Sequence, residues 1–379
     1  MRHRLLVPMV HALHRRNWDT SDAMSVLYRV FNIRIVTPKY GDWRRMRRVL
    51  RLGSLVSRAR LGSRTYRHKL TLPRPLFDRM ALAAWRTVRD PEAVARAIER
   101  RLPIRRDNRK AVEGCDLMLW PTMIHDDPAD DLVKAAMLRG IPVVAAPASW
   151  DSLTTKGAFL VRPDALLVWG AASARHAERD HGFARRAVAV TGPPHWDHYS
   201  EPRPARPRTK ILIAGTSVAY WRDEEDIAGR LTEDFPGRVL YRRHPRRGGE
   251  WSWKACLELR DQLDETAVVV AAFSTVIIEA ALQGIPSCVV AFGRGTAQDG
   301  LAPLAEYEHM AEVLKWPGVR QADKYEELTA LLRHTVDTIN GRRINALRTI
   351  AREVADADGR CRERIAEALT YYLREGRMP

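Results

Sequence analysis

Two stretches of this chain carry imidazole, guanidinium and hydroxyl groups at spacings that suit a phosphate. The first is YRRHPRRGG, from Tyr241; the second is AAFSTVIIEAALQGIPSCVVAFG, ending at Gly293. Around the second, Ala267–Ala272 reads as a buried strand, Phe273-Ser274-Thr275 as a turn and Val276–Gln283 as a helix. Gly284-Ile285-Pro286 stops that helix, and Ser287–Phe292 forms the next strand. In an open parallel sheet, ligands sit beyond the carboxyl ends of the strands, where helix N-termini offer free amides to anions. Ser274 and Thr275 would stand there and hold a phosphate, with Glu279 one helical turn on reaching a ribose or sugar hydroxyl. His244 ends the neighbouring strand and would meet the same phosphate. The plainer alternative makes Ser274 and Thr275 helix caps and Pro245 a strand terminator. Recurrence of the pattern at two strand ends favours the phosphate.

Other turns add candidates. The strand Lys210–Ala214 runs into Gly215-Thr216-Ser217, a further small turn at a strand end in which Gly215 and Thr216 are candidates for the donor nucleotide, and near His244, Ser274 and Thr275 one of Arg242, Arg243, Arg246 or Arg247 would help offset phosphate charge. Trp150-Asp151-Ser152 follows the strand Pro142–Ala146. There Asp151 is the candidate base for an acceptor hydroxyl, the alternative being a helix or turn cap. Lys156-Gly157, with Trp150, would bind acceptor or phosphate, although TTKG lacks the GxxxxGK frame of a P-loop. Clustered carboxylates in His125-Asp126-Asp127-Pro128-Ala129-Asp130-Asp131 can hold a divalent cation, but Asp127 before Pro128 reads better as an N-cap. His195-Trp196-Asp197-His198 has metal-like spacing yet sits in a loop, which suits a hinge or cleft lining. His176, Glu178 and His181 read as an exposed helical set. No metal and no cofactor is expected.

A length of 379 residues points to two domains, because single cores seldom grow past about 300 residues. Strands at Arg4–Met9, Ile33–Thr37, Asp116–Trp120, Pro142–Ala146, Ala165–Trp169 and Val188–Thr191 are separated by helix-length intervals, an α/β pattern with a mainly parallel sheet. Asp19-Thr20-Ser21-Asp22 opens a helix between the first two, and residues 43–110 read as mostly helical. Alternate prolines in Glu201-Pro202-Arg203-Pro204-Ala205-Arg206-Pro207-Arg208 make a stiff, extended linker. The expected organisation is a first Rossmann-like domain over 1–200 with a basic helical insertion at 43–110, and a linker over 201–208. A second Rossmann-like domain over 209–340 and helices over 341–379 returning to the first complete it, the two domains facing a cleft. No apolar run approaches the roughly 20 residues that span a bilayer, and MRHRLLVPMVHALHRR lacks the features of a secretory signal. The expected location is the cytoplasm, or the inner face of the plasma membrane as a peripheral protein. Four scattered cysteines have no CxxC spacing.

Charge is unevenly placed. Residues 1–110 hold 28 Lys and Arg against 8 Asp and Glu, while the remainder holds 35 against 38. Arg outnumbers Lys, a bias that genome composition can produce, but that does not explain the crowding. Arg44, Arg45, Arg47, Arg48, Arg51, Arg58, Arg60, Arg64 and Arg67 interleave with Met46, Val49, Leu50, Leu52, Leu55 and Val56. Such a segment would lie on an anionic leaflet or bind an anionic polymer. A solvated face is the plain alternative, and nucleic acid is the least favoured partner.

The His-Pro, the Ser/Thr turn, the helical Glu and the following Gly-Ile-Pro together resemble the donor half of GT-B transferases of surface polymers: the CDP-glycerol glycerophosphotransferase, polysialyltransferase and capsule-polymer group. DLMLWPT, LRGIPVVAAPASWDSLTTKG, RPDALLVWG and VAVTGPPHWDHY are similar to the other half, so the resemblance covers about residues 110–300, with a fainter echo in DADGRCRERIAEAL. It implies that His244, Pro245, Ser274 and Thr275 bind the nucleotide's phosphates. It also implies a CDP-, CMP- or UDP-linked donor, a sugar or alditol-phosphate as the transferred unit, and a polysaccharide or lipid-linked acceptor. Two rivals stand beside it. One is the related UDP-N-acetylhexosamine epimerase type, which needs several acid/base groups around one sugar. The other is a non-catalytic scaffold that binds nucleic acid or membrane through its basic first domain.

Overall fold

The structure, a computed structural model, describes residues 2–9, 18, 21–38, 43–124, 127–204, 206–216, 221–247, 252–294, 301–338 and 341–379. His125, Asp126 and Ser217, the Asp19-Thr20 start of the expected helix, and the side chains of Asp127, Pro128 and Arg246 lie outside the described residues.

The chain divides into two units, Met1–His198 with Ala355–Pro379, and Tyr199–Val354. The first unit has strands β1 (Arg4–Pro8), β2 (Asn32–Val36), β3 (Leu117–Thr122), β4 (Val143–Pro147), β5 (Ala165–Val168) and β6 (Val188–Val190). They form one sheet in the order β2-β1-β3-β4-β5-β6 with every pair parallel. β3, β4 and β5 are buried along their whole length, which is why they read as unbroken apolar runs rather than alternating ones. Successive side chains of β3 serve opposite faces. Met118 and Trp120 join a core with Leu132, Val133, Val143 and Phe159. Leu117 and Leu119 join another with Leu5, Val7, Ile365 and Leu369.

That second core is completed from the end of the chain. The helix Cys361–Glu375 buries Ile365, Ala366, Leu369 and Tyr372, and Asp197 holds its first turn. The amides of Cys361 and Arg362 donate to the Asp197 carboxylate (2.9 and 3.1 Å), and Arg362 Nε adds a third bond (2.9 Å). The motif read as a hinge or cleft lining is thus a buried cap for a sequence-distant helix. The return to this unit begins at Ala355, not at Gly341 as the sequence suggests. The helix Gly341–Val354 stays with the second unit. Ile344 fills the space at Gly284 (φ +70°), where an added Cβ would come within 2.4 Å of Ile344 Cγ2, and Arg348 donates to the Gln283 carbonyl.

The basic insertion consists of the helices Arg44–Arg60, Arg64–Thr71, Leu76–Thr87, Pro91–Arg101 and Arg106–Ala111. Leu50, Leu52, Val56, Leu82, Trp85 and Ala95 give it a core, and Asp90 caps the Pro91 helix through the Ala93 amide (3.0 Å). Part of this charge points inward: of the nine arginines read as a membrane-facing set, Arg47 and Arg58 are buried and Arg51 is half-buried, while the other six are exposed. Arg47 is fully buried between Glu99 (2.8 Å) and Asp131 (2.5 Å), with Lys134 3.2 Å from Glu99. Arg48 pairs with Asp78, Arg51 with Asp130 and Arg58 with Glu92. Arg60 donates to the carbonyls of Arg86, Val88 and Arg89. With Arg47, Arg48, Arg51, Arg58 and Arg60 matched to carboxylates and helix-end carbonyls, this helix is a packed element along most of its length, and Arg44 and Arg45 at its start are exposed.

The second unit has β7 (Lys210–Ala214), β8 (Val239–Arg242), β9 (Thr266–Ala271), β10 (Ser287–Val290) and β11 (Val319–Ala322), all parallel, in the order β11-β10-β9-β7-β8. Counting from the first strand of each unit, both sheets run 2-1-3-4-5, the first with a sixth strand added. This is a doubly wound arrangement with its switch point between strands 1 and 3. The α/β, two-Rossmann reading of the sequence holds. The proline-rich segment lies on the surface of the second unit, where Arg203 pairs with Asp264 (2.5 Å) and Arg206 with Glu265 (3.0 Å).

Candidate functional site

In the second unit the switch point falls between β7 and β9, and β8 lies on the other side of β7. Their carboxyl ends run into Gly215-Thr216, Arg243-His244-Pro245 and Phe273-Ser274-Thr275. Parallel pairing in this order sets all three turns along one edge of the sheet, the edge at which doubly wound sheets bind ligands.

Gly215 makes the close approach of β7 and β8 possible. Its amide donates to the Arg242 carbonyl (2.9 Å). A Cβ there would meet Glu224 Oε1 at 2.3 Å, the Arg242 carbonyl at 2.9 Å and the His244 nitrogen at 2.9 Å. Glu224, fully buried, accepts from the Thr216 amide (2.7 Å) and the Tyr241 hydroxyl (2.7 Å), with Arg247 Nε 3.8 Å away. Burial and this carboxylate push the Tyr241 phenol well up from its ordinary value. Arg247 also donates to the carbonyls of Thr216 (3.1 Å) and Trp221. The turn is therefore clamped from both sides. Asp223 anchors the neighbouring segment through the Arg294 amide (2.8 Å) and Arg294 Nε (2.7 Å). The clamp by Glu224, Tyr241 and Arg247 escapes sequence reasoning. The acidic run Asp223-Glu224-Glu225 after β7 is the only hint of it.

The candidate residues fare differently. His244 is half-buried and its carbonyl accepts from the Arg247 amide (2.8 Å), while Pro245 opens the short helix Pro245–Arg247. Arg243 is exposed, 3.4 Å from Glu225. Arg242 turns away, donating to Gln262 Oε1 (3.2 Å) and the Ala255 carbonyl (2.6 Å). Ser274 Oγ accepts from the Val276 amide (3.3 Å), and Thr275 makes no side-chain cap bond. Capping thus uses Ser274 and leaves the Thr275 hydroxyl out of it. Glu279 is buried and accepts from the Tyr199 hydroxyl (2.5 Å), so one of its oxygens is already engaged by protein. Burial and that carboxylate hold the Tyr199 proton on far above the ordinary range.

In the first unit the turn after β4 contains Trp150, Asp151 and Lys156. Asp151 accepts from Ser149 Oγ (2.5 Å) and Thr155 Oγ1 (2.8 Å). The insertion holds this turn in place: Gly157 donates its amide to the Tyr66 hydroxyl (2.8 Å), and Lys69 Nζ donates to the Thr155 carbonyl. Burial, then the like charge of Lys156, push the Lys69 ammonium down to about 7 against the opposing pull of Asp151. His176 and His181, read as exposed, are buried. His181 Nε2 lies 2.7 Å from the Leu153 carbonyl, and His176 Nδ1 3.1 Å from Asp180. Among the described residues no three His, Cys, Asp or Glu side chains form a group able to hold a metal ion.

No family model and no curated protein matches this sequence. Solved structures do. The S. aureus MnaA–UDP co-structure superimposes with a TM-score of 0.56 at 12% identity, covering 98% of this chain and 97% of that one. The glycotransferase of kitacinnamycin matches at 0.53 and 13% identity, with 100% of both chains covered. UDP-GlcNAc 2-epimerase from Neisseria meningitidis, bound to UDP-GlcNAc, matches at 0.52 and 11% identity over 98% of this chain and all of that one. The chain has the GT-B fold. At such identity the GT-B likeness speaks for architecture, and one fold hosts many chemistries. Among the described residues no helix is long and apolar enough to cross a membrane.

Proposed function

We propose that this protein is a GT-B transferase that moves a sugar or alditol-phosphate unit from a nucleotide-activated donor to a polysaccharide or lipid-linked acceptor. The observation that carries the reading is the convergence of Gly215-Thr216, His244 and Ser274-Thr275 at the switch-point edge of the second sheet. Departure of a nucleotide requires groups that stabilise negative charge on its phosphate, and preorganised donors at that edge supply them. In this reading the Thr275 hydroxyl and the His244 imidazole hold the phosphate, the clamped Thr216 turn fixes the floor of the site, and Arg243 adds positive charge at its rim. Asp151 is the proposed base, a role in which one of its two hydroxyl partners gives way to the acceptor hydroxyl. Trp150 and Lys156 would contact the acceptor. The donor is a CDP-, CMP- or UDP-linked compound, and the core chemistry needs no metal. The resemblance to the CDP-glycerol glycerophosphotransferase and polysialyltransferase group supports a surface polymer as the product.

The epimerase reading is favoured by the full-length likeness to UDP-GlcNAc 2-epimerases. Against it, the carboxylates nearest the second-unit turns are engaged: Glu224 by Thr216 and Tyr241, Glu279 by Tyr199 and Asp223 by Arg294. Free acid/base groups around a sugar are what an epimerase needs. A melting-temperature panel with CDP, CMP, UDP, UMP, GDP and ADP, with and without Mg²⁺, tests nucleotide use, because a ligand of the folded state alone raises the transition. Stabilisation by one base without Mg²⁺ is expected. No response to any of them at millimolar concentration points to the non-catalytic scaffold. Interconversion of UDP-GlcNAc with no acceptor present decides for the epimerase.

A further inference from the structure

The insertion carries a second feature, separate from the arginines that face inward. Contacts between the helices Arg44–Arg60 and Leu76–Thr87 advance together along both. Arg48 meets Asp78 (2.5 Å), the Trp85 ring lies against Gly53, and Arg60 meets the Arg86 and Val88 carbonyls. The helices therefore run parallel, and their first turns are side by side. That end displays large apolar side chains in water: Leu76 (68% exposed), Met80 (64%), Phe77 (60%), Met46 (40%) and Trp43 (36%). A cavity of about 630 Å³ opens beside them, lined by Leu70, Leu72, Arg74, Leu76, Met80 and Arg86.

The charges around this end are of one sign. Residues 43–89 contain fourteen Lys and Arg and one acid, Asp78, and Asp78 is buried and bound to Arg48. Arg45, Arg79 and Arg86 are exposed. A second copy of this chain would bring the same cationic face to a two-fold contact and be repelled. A soluble polyanion would satisfy the arginines and leave Leu76, Phe77 and Met80 in water. An anionic bilayer satisfies both, its headgroups meeting the guanidinium groups and its acyl boundary taking the apolar side chains, with Trp43 and Phe77 at the interface.

We propose that the end of the insertion formed by Trp43, Met46, Leu76, Phe77 and Met80, with Arg45 and Arg79, docks this protein on the surface of an anionic phospholipid bilayer. The docking goes beyond the transferase reading and is read out without any activity. Co-sedimentation is measured with vesicles of phosphatidylglycerol and phosphatidylcholine, and with phosphatidylcholine alone. The protein should pellet with the acidic vesicles and not the zwitterionic ones. Replacing Leu76, Phe77 and Met80 together by Ser should weaken binding about tenfold or more, since burial of each apolar side chain is lost. Arg45→Gln with Arg79→Gln should weaken it as well, as should high salt. The Ser variant's melting temperature guards against misfolding, and the Arg variant, which leaves the apolar residues intact, gives an independent reading. No binding to acidic vesicles, equal binding to both kinds, or full binding by the Ser variant would overturn the proposal. So would a dimer in gel filtration that the Ser variant abolishes, which would make this face a contact between copies.

Discussion

Thr275 and Glu224 show how differently two residues of one site can be read. Thr275 is legible because a small hydroxyl after an apolar run and before a helix is a local pattern. Its structural position adds that it does not cap the helix. Replacing Ser274 and Thr275 by Ala should weaken nucleotide binding about tenfold or more, as charge-assisted hydrogen bonds to phosphate are lost. The melting temperature of the free protein should hardly change, since only the Ser274 bond to Val276 goes. Calorimetric titration of the variant checks this, and unchanged affinity would remove both residues from the site. Glu224 is the opposite case. Its partners Thr216 and Tyr241 lie on other elements, so no window of sequence displays the pairing. Glu224→Ala leaves the Thr216 amide and Arg247 without their carboxylate in a buried place, a change that costs about 3–5 kcal/mol. Urea unfolding should show this as a lower midpoint.

At the scale of elements, the helices and strands were legible and their pairing was not. Residues 43–110 read as mostly helical, but Arg47 finds Glu99 and Asp131 far along the chain, and an interleaved Arg-rich helix looks the same in sequence whether its charges face water or carboxylates. Arg47→Met should destabilise the insertion by about 3–5 kcal/mol, because it strands two buried carboxylates. The insertion also makes the Trp150–Gly157 turn pH-sensitive. Lys69 is held near 7 in the folded protein against an ordinary 10.5. Between those values the unfolded chain binds the proton and the folded one does not, so stability rises with pH across that window. Below it both states are protonated and the cost of burying the charge is complete. Lys69→Met removes the group, so the variant's denaturation midpoint should gain on wild type at pH 7 and lose that advantage towards pH 10. A constant difference would mean that Lys69 titrates normally.

For the whole molecule, a parallel α/β architecture follows from apolar runs spaced by helix-length intervals, which is why the α/β reading needed no contacts, whereas the strand order shared by the two sheets did. Division of the chain into units did need them. The return point at Ala355 depends on Ile344 filling the space at Gly284, and the attachment of the last helix depends on Asp197, neither of which local pattern reports. β11 was missed because Val319–Ala322 carries Arg320 and Gln321 and so lacks an apolar run. The last helix is covalently part of the tail of the second unit yet belongs to the core of the first, against Leu5, Val7, Leu117 and Leu119. Asp197→Ala removes the carboxylate that accepts from Cys361 and Arg362, a loss of about 1–3 kcal/mol for groups left unpaired in a buried setting. Its effect should fall on one unit: in scanning calorimetry the first-unit transition moves down and the Tyr199–Val354 transition stays. Limited proteolysis of the variant should then cut before Cys361, and with a second cut near Tyr199 leave a stable second-unit fragment. A single transition that moves as one would show that the two units melt together, and that Asp197 supports both.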